Sequence, residues 1–324
     1  MSTSELQSKL AMLGLGLGAF IVVIIVLLAL AELVAKRGSK GLTAAVFLFP
    51  ALLFLGAGLL VPAARTVGLS MFDGSGENFI GFDNFVWIFT DGGAQVVLFN
   101  TVLWVFLTPL VATTVGLVYA VLIDGKRGEA IFKSLVFMPM AISFVGAAVI
   151  WRFIYDHRGG EDQIGLLNQI RVWFGQEPVA WLTEWPLNTL LLIMVLIWVQ
   201  TGFATVVLSA ALKGVPAEIQ EAARIDGASP WQEFWKVTVP SIRPAIIVVV
   251  VTISIASLKL FDIVRTMTGG QNRTGVVADS MYFQAFRLGE AGRGAALAVV
   301  LFLMVIPIVV YQARSLKRRQ EEAR

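Results

Sequence analysis

Side chains able to do covalent chemistry are nearly absent from this chain. It has no Cys and one His, His157, which stands between Asp156 and Arg158. Thiol catalysis, haem ligation and most metal sites are thereby removed, since each needs clustered Cys, His or carboxylates. No nucleophile–base set is legible, and His157 reads as a solvated loop residue rather than a proton relay. Two polar groups remain. One is an island, Glu218, Glu221, Arg224 and Asp226 around Ala222, Ala223 and Gly227, set between two long apolar runs. The other consists of polar residues inside apolar runs: Gln200 and Thr201 in one, Ser254, Ser257, Lys259 and Asp262 in another. The chemistry open to them is recognition. Charges of both signs around a small-residue stripe suit close protein contact, and polar groups inside apolar helices face a cavity or a partner helix. Lys259 and Asp262, three apart on a helix, are expected to neutralise each other.

The elements that carry these residues belong in a bilayer. Of 324 residues, 57% are apolar and 15% charged, with a mean hydropathy of +0.80, whereas a soluble domain carries roughly 25% charged residues. A bilayer core takes about 20 apolar residues as helix. Seven runs meet or approach that length: Leu10–Leu33, Leu42–Ala64, Val97–Ile123, Ser134–Trp151, Leu187–Leu212, Pro244–Val264 and Gly294–Ala313. The expectation is an all-α multi-pass membrane protein with about seven transmembrane helices. Pro50, Pro109, Pro139 and Pro307 fall inside runs, as membrane helices tolerate. The first run exceeds a signal-peptide core and is followed by Lys36, Arg37 and Lys40, so a retained span is expected.

Loop charge sets the orientation. The segments 36–40, 126–133 and 213–243, with the tail from Arg314, hold fifteen Lys and Arg against nine on the opposite set. The positive-inside rule puts the tail and the 213–243 loop in the cytoplasm and, with seven spans, the amino terminus outside. Among the outer segments, 79–87 is aromatic and reads as a short interfacial piece, and Trp173, Trp181 and Trp185 suit a headgroup-level belt. Asn100, Asn188 and Gln284 are candidates for polar contacts between helices. A phosphate-binding G-x-x-x-x-G-K-[ST] loop is missing: Gly74-Ser75-Gly76 lacks the Lys, and Gly269-Gly270 is not followed by Gly-Lys. Neither an inverted repeat nor a pair of intramembrane carboxylates suggests an ion-coupled carrier.

The island's local chemistry predicts two short helices. Pro216 suits a first helical position, Glu218 and Glu221 sit at the dipole-favoured end, and Asp226-Gly227 stops the helix with Gly left-handed. Ser229 as N-cap, Pro230 at N1 and Gln232 at N3 make a capping box for the second helix, which Pro240 and Pro244 are expected to end.

The order Glu221-Ala222-Ala223, three residues, Gly227, nine residues, Val237, one residue, Val239, Pro240 resembles the cytoplasmic loop signature of membrane subunits of bacterial ATP-binding-cassette importers. Val237 and Val239 stand where Ile and Leu are usual. The segments Phe137–Phe144, Trp151–Asp156, Ile197–Phe203, Leu258–Val264 and Thr268–Gly270 are similar to maltose-type sugar permeases, nearest their alpha-glucoside branch. The likeness covers roughly Phe79 to Ala313.

The resemblance implies a type I ABC-importer permease fold in a bacterial plasma membrane. It divides the chain into an extra helix and linker (1–41), a second helix and outer amphipathic segment (42–95), a permease core (96–313) with its coupling loop (213–243), and a basic tail (314–324). The implied partners are two ATPase subunits, a second homologous permease, an external solute-binding protein, a sugar and membrane lipid, with no nucleic acid. ATP and Mg²⁺ would be bound by the ATPases, and no cofactor or metal by this chain. The coupling residues would be Glu218, Glu221, Ala222, Ala223, Asp226 and Gly227. The solute path would involve Met140, Gln200, Thr201, Phe203, Ser254 and Ser257, and no residue is catalytic. The alternative is a self-sufficient secondary transporter or channel for a small polar solute.

Overall fold

The computed structural model describes residues 40–159 and 163–322 and scattered positions between 12 and 32. The expected first span, 10–33, falls largely outside them. The described residues are helical apart from loops and one isolated antiparallel bridge between Phe72 and Phe79. Two compact units divide at residue 66.

Helix α1 (Lys40–Leu55) of the first unit leads through a π turn (Gly56–Leu60) into α2 (Val61–Leu69), whose last residues, from Val67, belong to the second unit, and together 44–69 form one apolar helix long enough to cross a bilayer. Phe47, Phe49, Leu52, Phe54 and Leu59 are all exposed. Apolar side chains on every side are what a lipid-facing helix carries.

The second unit runs α3 (Asp83–Thr90), α4 (Gly92–Ile123), α5 (Glu129–Phe137), a 3₁₀ turn (Met138–Ala141), α6 (Phe144–Ile154), α7 (Leu166–Trp173) and α8 (Leu187–Lys213). It continues with α9 (Ala217–Ile225), α10 (Pro230–Glu233), a π turn (Phe234–Thr238), α11 (Val239–Leu258), α12 (Asp262–Met267), α13 (Val277–Tyr282), a second π turn (Phe283–Arg287) and α14 (Ala291–Glu322). Helix α8 is the centre. It is apolar all round, buries Leu192, Leu196, Ala204 and Leu208, and packs on α4, α5 and α11. Small residues permit the close approach: a Cβ at Gly116 on α4 would stand 2.6 Å from Ala204 Cβ and 3.0 Å from the Thr205 amide nitrogen.

Among the described residues, five helices are long and apolar enough to cross a membrane, or six with one bent pair; the first of the seven expected runs lies largely outside those residues. Two expectations need correction. The fourth run is that bent pair. Helix α5 with its 3₁₀ turn meets α6 at 97°, because Pro139 sits in the turn and Ser143 begins a new helix, its Oγ accepting from the Gly146 amide at 3.1 Å. Irregular backbone at membrane depth persists where protein covers it, and Pro139 is buried.

The sixth run is also displaced. Pro240 and Pro244 do not end the second island helix, which continues from Pro230 through the π turn to Leu258. The π turn directly before Pro240 widens the backbone where the ring must fit. Lys259 then caps α11 and Asp262 opens α12, so the expected Lys259–Asp262 pair is not among the ion pairs of the described residues.

Candidate coupling surface and polar path

The island folds as its capping residues dictate. Helix α9 starts after Pro216 (φ −58°, ψ 133°), the N-cap rather than the first helical residue. At its other end Gly227 takes φ +82°. The Gly227 amide donates to Arg224 O and the Ala228 amide to Ala223 O, both at 3.0 Å, the two bonds of a Schellman closure that satisfies otherwise orphaned carbonyls. Ser229 and Gln232 then make the capping box: the Gln232 amide donates to Ser229 Oγ at 3.3 Å, and the Ser229 amide to Gln232 Oε1 at 2.9 Å.

The resulting surface holds most of the expected coupling residues in the open. Glu218, Glu221, Ala222, Asp226 and Gly227 are exposed and Ala223 is half-buried. Bulky neighbours that composition did not single out share the exposure: Ile225 is 85% exposed and Trp231 70%, with Ile219 and Trp235 also open. Trp231 and Trp235 stack edge to face at 5.6 Å between centroids. Their four-residue spacing directly after a capping box was the available signal. Arg224 does not flank a free face. Glu233 accepts from its Nε at 2.8 Å and its Nη2 at 2.9 Å, and those bonds, then the charge, raise the guanidinium above its usual value.

The expected path residues lie on three elements that meet at α8: Met140 in the 3₁₀ turn, Gln200, Thr201 and Phe203 on α8 itself, and Ser254 and Ser257 on α11. The three hydroxyls bond their own helices. Thr201 Oγ1 donates to Ile197 O (2.7 Å), Ser254 Oγ to Val250 O (2.8 Å) and Ser257 Oγ to Ile253 O (2.9 Å). Gln200, 7% exposed, makes no side-chain hydrogen bond among the described residues. It is the polar group of this set with unused bonding capacity, which is costly in an apolar setting. Met140 is exposed and Phe203 half-buried. No group of three His, Cys, Asp or Glu among the described residues could hold a metal ion.

At the opposite end of these helices from the coupling loop, buried asparagines hold the connecting loops. Asn100 donates to Arg273 O (2.7 Å) and Gly275 O (2.9 Å) and accepts from Trp185 Nε1 (3.1 Å). Asn188 donates to Asn272 O at 2.8 Å. Asn168 bonds Asp156 O, Val179 O and N, and Trp181 Nε1. Trp181 and Trp185 are therefore structural ties, while Trp173 is exposed. Gln284 gains no such role, since its Oε1 is buried without a partner. His157 is exposed.

The α12–α13 segment has its own charged node. Arg265 lies 2.9 Å from Asp279, its N–H turned off the line between them, within a cage of Phe261, Tyr282 and Phe283 at 5.0–6.0 Å. Burial pushes the Asp279 carboxyl above its ordinary value, against the pull of Arg265.

Known proteins resemble this chain in sequence and fold. The chain is 48% identical to the osmoprotective compounds uptake permease protein GgtC of Synechocystis sp., over 85% of its own length and 99% of the relative's. It is 50% identical to the alpha-glucoside transport system permease protein AglF of Rhizobium meliloti, over 84% and 82%. Its fold matches a crystal structure of a bacterial ABC transporter that imports the acidic polysaccharide alginate, with a TM-score of 0.73 at 23% identity, covering 88% of this chain and 98% of the other. The model of the binding-protein-dependent transport system inner membrane component matches residues 112–319. Helices α4 to α14, with the exposed loop between α8 and α11, thus carry the family's core: the chain belongs to the inner membrane components of binding-protein-dependent transport systems.

Proposed function

We propose that this chain is one membrane subunit of an ATP-driven importer that moves an oligosaccharide or α-glucoside, a maltose-, trehalose- or sucrose-like sugar, by alternating access. The observation that carries the proposal is the exposed helix–turn–helix around Glu221–Gly227, in a chain half identical to a named alpha-glucoside permease. Two ATPases hydrolyse ATP in the cytoplasm, and one docks on Glu218, Glu221, Ala222, Ala223, Asp226 and Gly227. This chain performs no catalysis and binds no cofactor. A second homologous permease completes the membrane part, and an external binding protein delivers the sugar. The tail and the 213–243 loop face the cytoplasm, in keeping with their excess of Lys and Arg. The sugar passes between α8, α11 and the 3₁₀ turn. Gln200 offers the free amide, Thr201, Ser254 and Ser257 offer hydroxyl acceptors, and Met140 and Phe203 offer apolar faces.

The test is reconstitution of the full importer in liposomes. Uptake of α-glucosides should need ATP and the binding protein. Gly227→Asp, which puts a side chain at φ +82° on the docking face, should abolish uptake while the two permease subunits still co-purify. Uptake by this subunit alone, indifferent to ATP and to Gly227→Asp, would establish a self-sufficient carrier instead.

A further inference from the structure

At the inner face, two charged nodes tie the helices into separate groups. One joins α8 to α5. The ammonium of Lys213, the last residue of α8, lies 2.7 Å and 3.0 Å from the two Glu129 oxygens, and Lys133 binds the same carboxylate at 2.5 Å. The other is the bidentate bond between Arg224 of α9 and Glu233 of α10. Helix α9 packs against α10 and the π turn that follows it. Gln220 and Arg224 of α9, with Glu233 and Phe234 beside them, line a cavity of about 300 Å³, whose far wall is Val121, Asp124 and Leu212 from the ends of α4 and α8. The ATPase-facing helix is therefore held on the α10–α11 side and stands off from α4 and α8. Its link to α8 is Gly214-Val215-Pro216.

We propose that the Arg224–Glu233 bond makes α9 and the α10–α11 helix a single lever, so that movement imposed on α9 reaches the bundle through α11 and not through α8. Planar two-point pairing suits this task, because it fixes angle as well as distance. Glu233 is nearly buried and Arg224 open, so one end of the bond is held by packing. Helix α11 carries Ser254 and Ser257, and the lever therefore ends at the polar path. The cavity leaves room for α9 to move relative to the Lys213–Glu129 node. Arg224 and Glu233 are positioning residues; neither needs to touch ATP or sugar. The inference rests on the importer reading above.

The test uses the complete importer with its ATPases, second permease and binding protein. Variants are Arg224→Glu, Glu233→Arg, the milder Glu233→Gln, and the double swap Arg224→Glu with Glu233→Arg. Two readouts are taken: sugar imported per ATP hydrolysed, and hydrogen exchange of the α9 amides. Each single variant should lower the ratio by about threefold to tenfold and speed exchange in α9, as loss of one coupled pair does. The swap should restore both to within about twofold. A swap no better than the worse single variant overturns the lever, because Arg224 would then act by touching the ATPase itself. Unchanged ratio and exchange in Glu233→Gln overturn it too. A wild-type complex that imports no α-glucoside defeats the importer reading alone, since exchange in α9 still reports whether the pair clamps the helix.

Discussion

Gly202→Ala adds a methyl group where α8 has no room for one. The new Cβ would overlap the Val136 carbonyl oxygen and stand 2.9 Å from Phe137 Cα and 3.2 Å from the Val136 carbonyl carbon. All three are backbone atoms leading into the 3₁₀ break, so no rotamer change relieves the clash. The helices must part by about 0.5–1 Å. Such a gap forfeits roughly a quarter to a half of each facing contact, worth about 0.1–0.2 kcal/mol apiece. Over ~20 such contacts the loss comes to about 0.5–2 kcal/mol, which overlaps the usual overpacking range of about 1–3 kcal/mol. Gly68→Ala is the control, since nothing lies within 4 Å of its added Cβ. The thermal unfolding midpoint of the detergent-purified complex, followed by tryptophan fluorescence, should fall by about 1–8 °C for Gly202→Ala. Gly68→Ala should not lower it, Ala being the better helix former. Sugar uptake should fall only in the former. Equal melting temperatures and equal uptake for the two variants would refute the close approach of α8 to the broken span.

Two further outcomes follow from charged groups outside the spans. Asp279→Ala strips the caged Arg265 of its counter-charge, and removing one partner of a buried pair costs about 3–5 kcal/mol. Because Arg265 keeps some exposure, about 3 kcal/mol or less is expected, read as a lower melting temperature that Arg265→Met added to Asp279→Ala partly recovers; a neutral Asp279→Ala would contradict the cage. Asp73 titrates the other way. The Asn78 side chain first, then Ser75, donates to its carboxylate and holds it well below the ordinary value of 3.8. A depressed carboxylate stabilises above its ordinary value and loses that contribution as pH falls through its folded value. Exchange of the Gly76, Glu77 and Asn78 amides, corrected for intrinsic rates, should therefore stay slow down to about pH 4 and accelerate only below it. A midpoint at or above the ordinary carboxylate value would be inconsistent with these bonds.

The membrane class, the apolar helices that were found and the helix–turn–helix with its left-handed Gly227 and Ser229–Gln232 box were legible in the chain, because hydropathy, caps and glycine act within a few residues. A separation of nine residues, against three, already divides what was not read from what was. Ser229 and Gln232 declare their pairing by spacing, whereas Arg224 and Glu233 meet only because the Gly227 turn folds one helix back on the next. The fourth run kept its apolar length and hid a 97° bend. Pro139 was visible, but membrane helices often run through proline, and the break persists only where neighbouring protein covers it.

Polar residues inside the spans show the same division. Their cost in an apolar medium marked Gln200, Thr201, Ser254 and Ser257 as exceptional. The three hydroxyls bond carbonyls four residues back on their own helices, a local pairing, and only packing decided that Gln200 keeps its amide unused. Asn100 meets Gly275, 175 residues away, and no local pattern encodes a partner at that distance. Residue type determined which groups needed a partner, since desolvation penalises each alike wherever it is buried. Which partner each obtained was decided when α8, α4 and α11 closed on one another.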